Sequence, residues 1–309
     1  MAATDILALG EAMVEFNQTG EASGRVYLQG FGGDTSNFAV AAARQGAKVG
    51  YLSALGDDVY GAMLRAMWRE EGIDDSGVAT DADAFTAVYF VSHDASGHHF
   101  SFFRRGSAAS RLTLAQSQLA ALAQTRVLHL SGISLAISAT ARATCFAAIR
   151  AARAAGAMVS FDTNFRATLW PLATARAATD EAIALADICL PSYDDLAVLT
   201  SLDSPEAMVA HCLGLGARIV ALKHGANGAW LADAARQVRI APHPCRPVDA
   251  TGAGDAFGGA FVARIVAGDD LETAGRYAAA TAALSTEGYG AVAPIPRAAQ
   301  VRAALLGAA

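Results

Sequence analysis

The chain has 309 residues, 53% of them hydrophobic and 17% charged, with a formal net charge of −6. That length is enough for a large buried core in one or two domains. The acidic balance argues against nucleic acid or an anionic membrane as the main partner, while small anionic ligands, which feel local charge, stay open. The opening "MAATDILALGEAM" (residues 1–13) has no basic stretch and only a short apolar run before Glu11. It reads as a first strand, not a signal peptide.

Further along, short Leu-rich or β-branched runs alternate with alanine-rich helical patterns. "ILALG" (6–10) is followed by the helical "TSNFAVAAARQG" (35–46), and "VGYLSALG" (49–56) by the helical "YGAMLRAMWREEG" (60–72). "VLHLSG" (127–132) precedes a predicted helix over about 138–155. "AMVSFDTN" (157–164), "DICLPS" (187–192) and "RIVALKHG" (218–225) repeat the rhythm. Strand, turn and helix in sequence predict βαβ units and a mostly parallel sheet, with ligands beyond the carboxyl ends of the strands. The long apolar stretches are interrupted by Arg, Asp or Gly, so no transmembrane helix is expected. The four cysteines, Cys145, Cys189, Cys212 and Cys245, lack CxxC spacing, which disfavours a disulfide framework or metal site. A cytoplasmic protein fits these features.

Two stretches break the rhythm. "RVYLQGFGG" (25–33) and "FTAVYFVSHDASGHHFSFFRR" (85–105) alternate apolar and polar residues, and "DASG" reads as a hairpin turn. They predict a small β-layer on the α/β body, either a cover over a site or an edge decoration. Its apolar faces suit a homo-oligomer.

Near the C-terminus, "DATGAGDAFGGAF" (249–261) places Asp255 directly after a glycine-rich turn and at the head of an apolar segment. A carboxylate there is costly unless something uses it. A helix beginning near Gly252 would leave amide N–H groups pointing outward, a ready anion site. Gly252 and Gly254 would let a bulky oxyanion approach. One segment then offers a base and a cradle for negative charge, which phosphoryl transfer to a hydroxyl requires. Taken alone, the motif is equally an ordinary helix start. The GxxxxGK[ST] phosphate loop is absent from the chain.

The longer string resembles the C-terminal signature of the ribokinase-like sugar kinases, the PfkB family. "GGDTSNFAVAAARQGAKVGYLSALGDDVYGAML" (32–64) resembles that family's N-terminal signature. "FFRRGSAAS" (102–110), "LHLSGIS" (128–134), "FDTNFRATLW" (161–170) and "GYGAVAPIP" (288–296) are similar to the members that phosphorylate 2-keto-3-deoxygluconate. The resemblance implies a single ribokinase-like domain over residues 1–309, a Rossmann-type α/β sandwich with a mostly parallel sheet. It further implies a small β-sheet lid from about 11–34 and 85–106. The implied reaction takes ATP, with Mg²⁺, and phosphorylates a sugar acid. Another sugar kinase such as a fructokinase, or a non-catalytic sensor on the same fold, are the alternatives.

The resemblance also implies roles. Asp255 is the expected general base, and Gly252, Ala253 and Gly254 the anion hole. Gly33, Asn37, Tyr89, Phe102, Arg104, Arg166 and Tyr289 match sugar-pocket positions. Guanidinium groups suit a carboxylate substrate, and Arg104 rather than its neighbour Arg105 is expected to face it. Asn37 is equally placed to cap the following helix. Phe102 stands where relatives often carry tyrosine, so it is a lid hydrophobe or a lost contact. "LKHGANG" (222–228) resembles the ATP-binding segment, giving Lys223, Gly225, Asn227 and Gly228 as nucleotide residues, with Asn164, Ser192 and Thr251. Ser192 and Asp195 replace a pair that is often Asn and Glu, and Asp195 is expected to reach Mg²⁺ only through water. A monovalent cation near Asp249 and Thr251 is left open.

Overall fold

Alternate residues of the first strand, β1 (Thr4–Leu9), go to opposite sides: Ile6 and Ala8 into one hydrophobic cluster, Leu7 and Leu9 into another. A strand buried on both faces needs helices on both. The computed structural model describes residues 3–19, 24–94 and 97–307. Within them follow β2 (Met13–Gln18), β3 (Tyr27–Gly32), β4 (Val49–Gly56), β5 (Val78–Asp81), β6 (Val88–Asp94) and β7 (Gly97–Phe103). After these come β8 (Thr125–Ser131), β9 (Met158–Asp162), β10 (Ile188–Cys189), β11 (Ile219–Lys223), β12 (Ala229–Ala232) and β13 (Gln237–Ile240). A nine-stranded sheet runs β13-β12-β11-β10-β9-β8-β1-β4-β5, and a four-stranded sheet runs β3-β2-β6-β7. The large sheet is parallel from β5 to β11, and only β12 and β13 are antiparallel. This is the ribokinase-like α/β fold.

One cluster packs under the helices Asp34–Arg44, Val59–Glu70, Ala253–Ala267 and Leu271–Ser285. The other packs under Ala139–Ala154, Leu172–Leu185 and Pro205–Leu215. Cys145, Cys189 and Cys212 lie buried in this second cluster as small hydrophobes. The chain leaves β1 towards β4 and β5, then returns to lay β8 on β1's other side. Between β1 and β8 the strand order reverses, and the crevice at their carboxyl ends is where such sheets bind ligands. His129 on β8 is a core residue: its Nδ1 lies 3.0 Å from Ser160 Oγ, and burial holds its pKa well below the usual range.

The small sheet matches the two irregular stretches, although the expected turn residues Ala95 and Ser96 lie outside the described residues. β2 and β5 carry no clear strand signal of their own. In β2, Glu15 and Asn17 break the apolar pattern, yet both are buried. One face of this sheet leans on the body, with Phe16 stacked on Phe90 and edge-on to Tyr60 of the Val59–Glu70 helix. The other face presents Glu15, Tyr89 and Phe102, which are cross-strand neighbours.

Two helices bring distant sequence together. Ala253–Ala267 crosses Asp34–Arg44 at Gly259, where an added Cβ would sit 2.4 Å from the Phe38 carbonyl oxygen. That contact sets the separation between Asn37 and Asp255. Gly259→Ala is expected to force the helices apart and destabilise the protein by about 1–3 kcal/mol in urea titrations. Gly214→Ala, in an exposed helix position with nothing within 4 Å, is expected to stabilise by about 0.5–1 kcal/mol.

Candidate active site

Asp255 lies in the first turn of Ala253–Ala267, one turn after Gly252, whose left-handed φ of 76° starts the helix. Its Oδ2 accepts a hydrogen bond from Asn37 Nδ2 at 2.9 Å. Its Oδ1 accepts a longer one, 3.4 Å, from Asn164 Nδ2, which also donates to Asp34 Oδ2 at 3.2 Å. Asn164 holds an unusual backbone angle, φ 30°, just past the end of β9. Its N–H donates to Asp162 Oδ1 at 3.2 Å, and the other oxygen of Asp162 accepts from Lys223 Nζ. Three carboxyls from three elements therefore converge with one ammonium. Loss of solvation, then Asp34 and Asp162, push the Asp255 pKa up to about 8, against Asn37 and Lys223, which pull it down. A carboxyl that titrates near neutrality is suited to proton transfer.

The helix start supplies donors beside it. The amides of Gly252, Gly254 and Asp255 make no hydrogen bond among the described residues, whereas the Ala253 N–H donates to the Ala250 carbonyl at 3.2 Å. Of the three amides expected to form the cradle, the Ala253 donor is thus used by the turn. Asp249 braces the same turn: Oδ1 accepts from Thr251 N and Oγ1 at 2.9 and 2.7 Å, and Oδ2 from Gly290 N at 2.9 Å.

The expected sugar-pocket residues are placed differently from one another. Gly33, at φ 97°, begins the Asp34–Arg44 helix where a Cβ would meet the Glu11 carbonyl oxygen at 2.4 Å. Its close approach is to its own chain. Asn37 is not a cap; its amide aims at Asp255 and its Oδ1 is buried without a partner. Tyr89 is buried and its hydroxyl donates to Glu15 Oε2. Phe102 lies stacked on Tyr89, centroids 5.5 Å apart, and is half exposed, which fits the hydrophobe reading.

The two arginines differ. Arg104, not the exposed Arg105, turns inward, and its Nη2 lies 2.5 Å from Glu11 Oε2 as an ion pair without hydrogen-bond alignment. Glu11 also accepts from Ser107 Oγ at 2.6 Å. Burial pushes the Glu11 pKa up, while Arg104 and Ser107 hold it down. Arg104 is therefore charge-compensated. Arg166 is exposed beyond β9 and bonds the Phe165 carbonyl at 2.8 Å, with no carboxylate partner among the described residues. Tyr289 is exposed and lines a cavity of about 340 Å³ with Glu15, Asn17, His93 and Gly290. A larger cavity of about 560 Å³ near Met158, Ile188 and Ile219 sits at the opposite, amino ends of the strands, away from these groups.

Of the residues expected to hold nucleotide, Lys223 reaches the centre, while Gly225 and Asn227 are exposed in the turn after β11 and Gly228 is half-buried at its end. Ser192 caps the Tyr193–Thr200 helix by accepting from Asp195 N at 3.2 Å. Asp195 Oδ2 accepts from Thr163 Oγ1 and the Phe165 N–H at 3.0 and 3.1 Å, so it anchors the loop carrying Asn164.

Four carboxylates of the site escape the sequence reading: Glu11, Glu15, Asp34 and Asp162. Glu11 and Asp34 follow glycines and Asp162 ends β9, which is a weak signal, while Glu15 sits inside β2. Their partners lie far off in sequence, 96 residues away for Glu11 and Ser107, 130 for Asp34 and Asn164, and 61 for Asp162 and Lys223. Replacing Arg104 by Met leaves Glu11 buried and unpaired. The variant is expected to lose about 3–5 kcal/mol at pH 8, and less at pH 5 as Glu11 takes a proton, read by urea unfolding at the two pH values.

Known proteins resemble this chain in sequence and in fold. The profile described as "pfkB family carbohydrate kinase" matches residues 3–298. Fructokinase-1 of Oryza sativa subsp. japonica is 33% identical over 94% of each chain. The 2-dehydro-3-deoxygluconokinase of Dickeya dadantii, named for the same sugar acid, is 31% identical over 96% of this chain and 98% of its own. Among solved structures, a PfkB protein from Polaromonas sp. JS666 superposes with a TM-score of 0.88 at 33% identity, covering 97% of this chain and 100% of that one. A putative ribokinase II from E. coli, in complex with ATP and Mg²⁺, gives 0.89 at 26% identity over 98% and 99%. The chain belongs to the pfkB family of carbohydrate kinases.

Proposed function

We propose that the protein transfers the γ-phosphoryl group of ATP to the terminal hydroxyl of 2-keto-3-deoxygluconate, giving 2-keto-3-deoxy-6-phosphogluconate. The observation that carries the chemistry is Asp255 beside the unused amides of Gly252 and Gly254. Asp255 takes the hydroxyl proton as the acceptor oxygen bonds to phosphorus. The bond to the β–γ bridging oxygen breaks, and ADP leaves with its electron pair. The amides face the oxygens on which charge builds. Asn37, with an unpartnered Oδ1, and Glu15 with Tyr89 offer groups for sugar hydroxyls. The four-stranded sheet acts as the lid.

Relatives solved with ATP and Mg²⁺ support the same cofactors here. Among the described residues no three His, Cys, Asp or Glu meet to cage an ion. Mg²⁺ held by phosphates and water needs few protein ligands, and the donor set fits that mode. Asp195 is the carboxylate for an outer, water-bridged contact, and the ion when bound neutralises phosphate charge.

The choice of a sugar acid rests on Arg166, the guanidinium at the cleft with no carboxylate partner among the described residues. The fructokinase reading draws support from the compensated Arg104 and from fructokinase relatives of similar identity. A coupled ADP-release assay with 2-keto-3-deoxygluconate, its galactonate epimer, fructose, ribose and adenosine separates them. Fastest turnover of a sugar acid, with a KM raised about tenfold or more by Arg166→Ala, is expected. Fructose preferred and Arg166→Ala silent would favour the alternative. Asp255→Asn is expected to bind sugar normally and to turn over at least about 10²-fold more slowly. Because the base must be ionised, kcat/KM should rise with pH and level off above about 8.

A further inference from the structure

The Lys223–Asp162 pair sits beneath the helix that carries Asp255, and the kinase reading leaves it without a role in the chemical step. Lys223 ends β11 and Asp162 ends β9, two strands of the large sheet separated by β10. Their side chains are 13% and 5% exposed and hydrogen-bonded to each other. A Cβ added to Gly254 would lie 3.6 Å from Lys223 Nζ. The ammonium therefore lies beside Gly254, at the helix start. Asp162 is tied a second time, by the Asn164 N–H, and the Asn164 side chain reaches Asp255. One buried network thus runs from the ammonium to the base.

We propose that Lys223 is a catalytic residue whose ammonium, together with the Gly254 amide, receives the transferring phosphoryl group, and that Asp162 positions it. The proposal rests on the kinase reading and deepens it. A lysine that served only to hold nucleotide would need no buried carboxylate to fix it beside the base. A fixed ammonium next to oriented amides adds nothing in reorganisation when charge builds on the phosphoryl oxygens, which is how electrostatic preorganisation accelerates such transfers. Lys223 also acts on the base: its charge favours the ionised form of Asp255, whereas Asp162 and Asp34 oppose it. The other groups at Asp255 are the neutral amides of Asn37 and Asn164, and Tyr89, which feels the Asp255 charge.

Opposite effects from the two ends of one ion pair give the test. The Asp255 carboxyl is followed by carbon-13 NMR in the free protein, over a pH titration, in the wild type, Lys223→Met, Lys223→Arg and Asp162→Asn. Lys223→Met is expected to raise its pKa, Asp162→Asn to lower it, and Lys223→Arg to leave it nearly in place. Steady-state assays and calorimetry with a non-hydrolysable ATP analogue accompany the titration. Lys223→Met is expected to lose at least about 10²-fold in kcat, with analogue affinity within about tenfold of wild type. Lys223→Arg recovers part of that loss. Equal-direction pKa shifts in both variants, or an affinity loss with kcat intact, would overturn the proposal and leave a structural or binding lysine. A wild type inactive on every sugar would remove the kinase reading, while the titration would still decide whether Lys223 and Asp162 act on Asp255.

Discussion

Everything in the site follows from crowding carboxyl groups at the start of one helix. Asp34, Asp162 and Asp255 come from three elements and meet with Lys223 as the cation among them. Like charges at close range cannot all ionise in a poorly solvated place. Burial pushes both Asp162 and Asp255 up; Asp162 has an ammonium to offset it, whereas the hydrogen-bond partners of Asp255 are two neutral amides. The outcome is a carboxyl poised near neutrality beside backbone donors that make no hydrogen bond among the described residues. That arrangement also opposes stability. A carboxyl with a raised pKa favours the native state at pH values below the unfolded carboxylate pKa, and the benefit is lost as pH rises towards about 8. The tight crossing of Ala253–Ala267 over Asp34–Arg44 and the buried sheet supply what the cluster takes away.

The βαβ rhythm was legible because strands buried on both faces read as apolar runs and their helices as alanine-rich stripes. β4 falls on the expected residues, and the helix expected over 138–155 is Ala139–Ala154. "DICLPS" shrinks to the two-residue β10: Leu190 N still donates to the Phe161 carbonyl and the Pro191 carbonyl accepts from Lys223 N, but Pro191 has no N–H with which to continue the ladder. β2 was hidden by Glu15 and Asn17, polar residues that are buried only because Tyr89 and His93 lie on the neighbouring strand.

Within the site, Asp255, Asn37, Asn164 and Lys223, each singled out from a different motif, lie together. Which arginine is paired could not be read that way. In sequence, Arg104 and Arg166 look equivalent. In the fold, Glu11 at the end of β1 reaches Arg104 at the end of β7 and cancels it, while Arg166 stays on the rim. On the proposed sugar-acid reading, acid recognition would fall on one guanidinium, that of Arg166. The pair meanwhile ties the small sheet to the body, so Arg104 has a structural duty that a motif comparison does not reveal.

The most direct test is a crystal structure of the ternary complex with sugar acid and a non-hydrolysable ATP analogue. The account expects the acceptor hydroxyl within about 2.6–3.2 Å of an Asp255 oxygen, with the terminal phosphorus facing the Gly254 amide and Lys223. A nucleotide whose terminal phosphate lies elsewhere, or a sugar whose hydroxyls never meet Asp255, would contradict it.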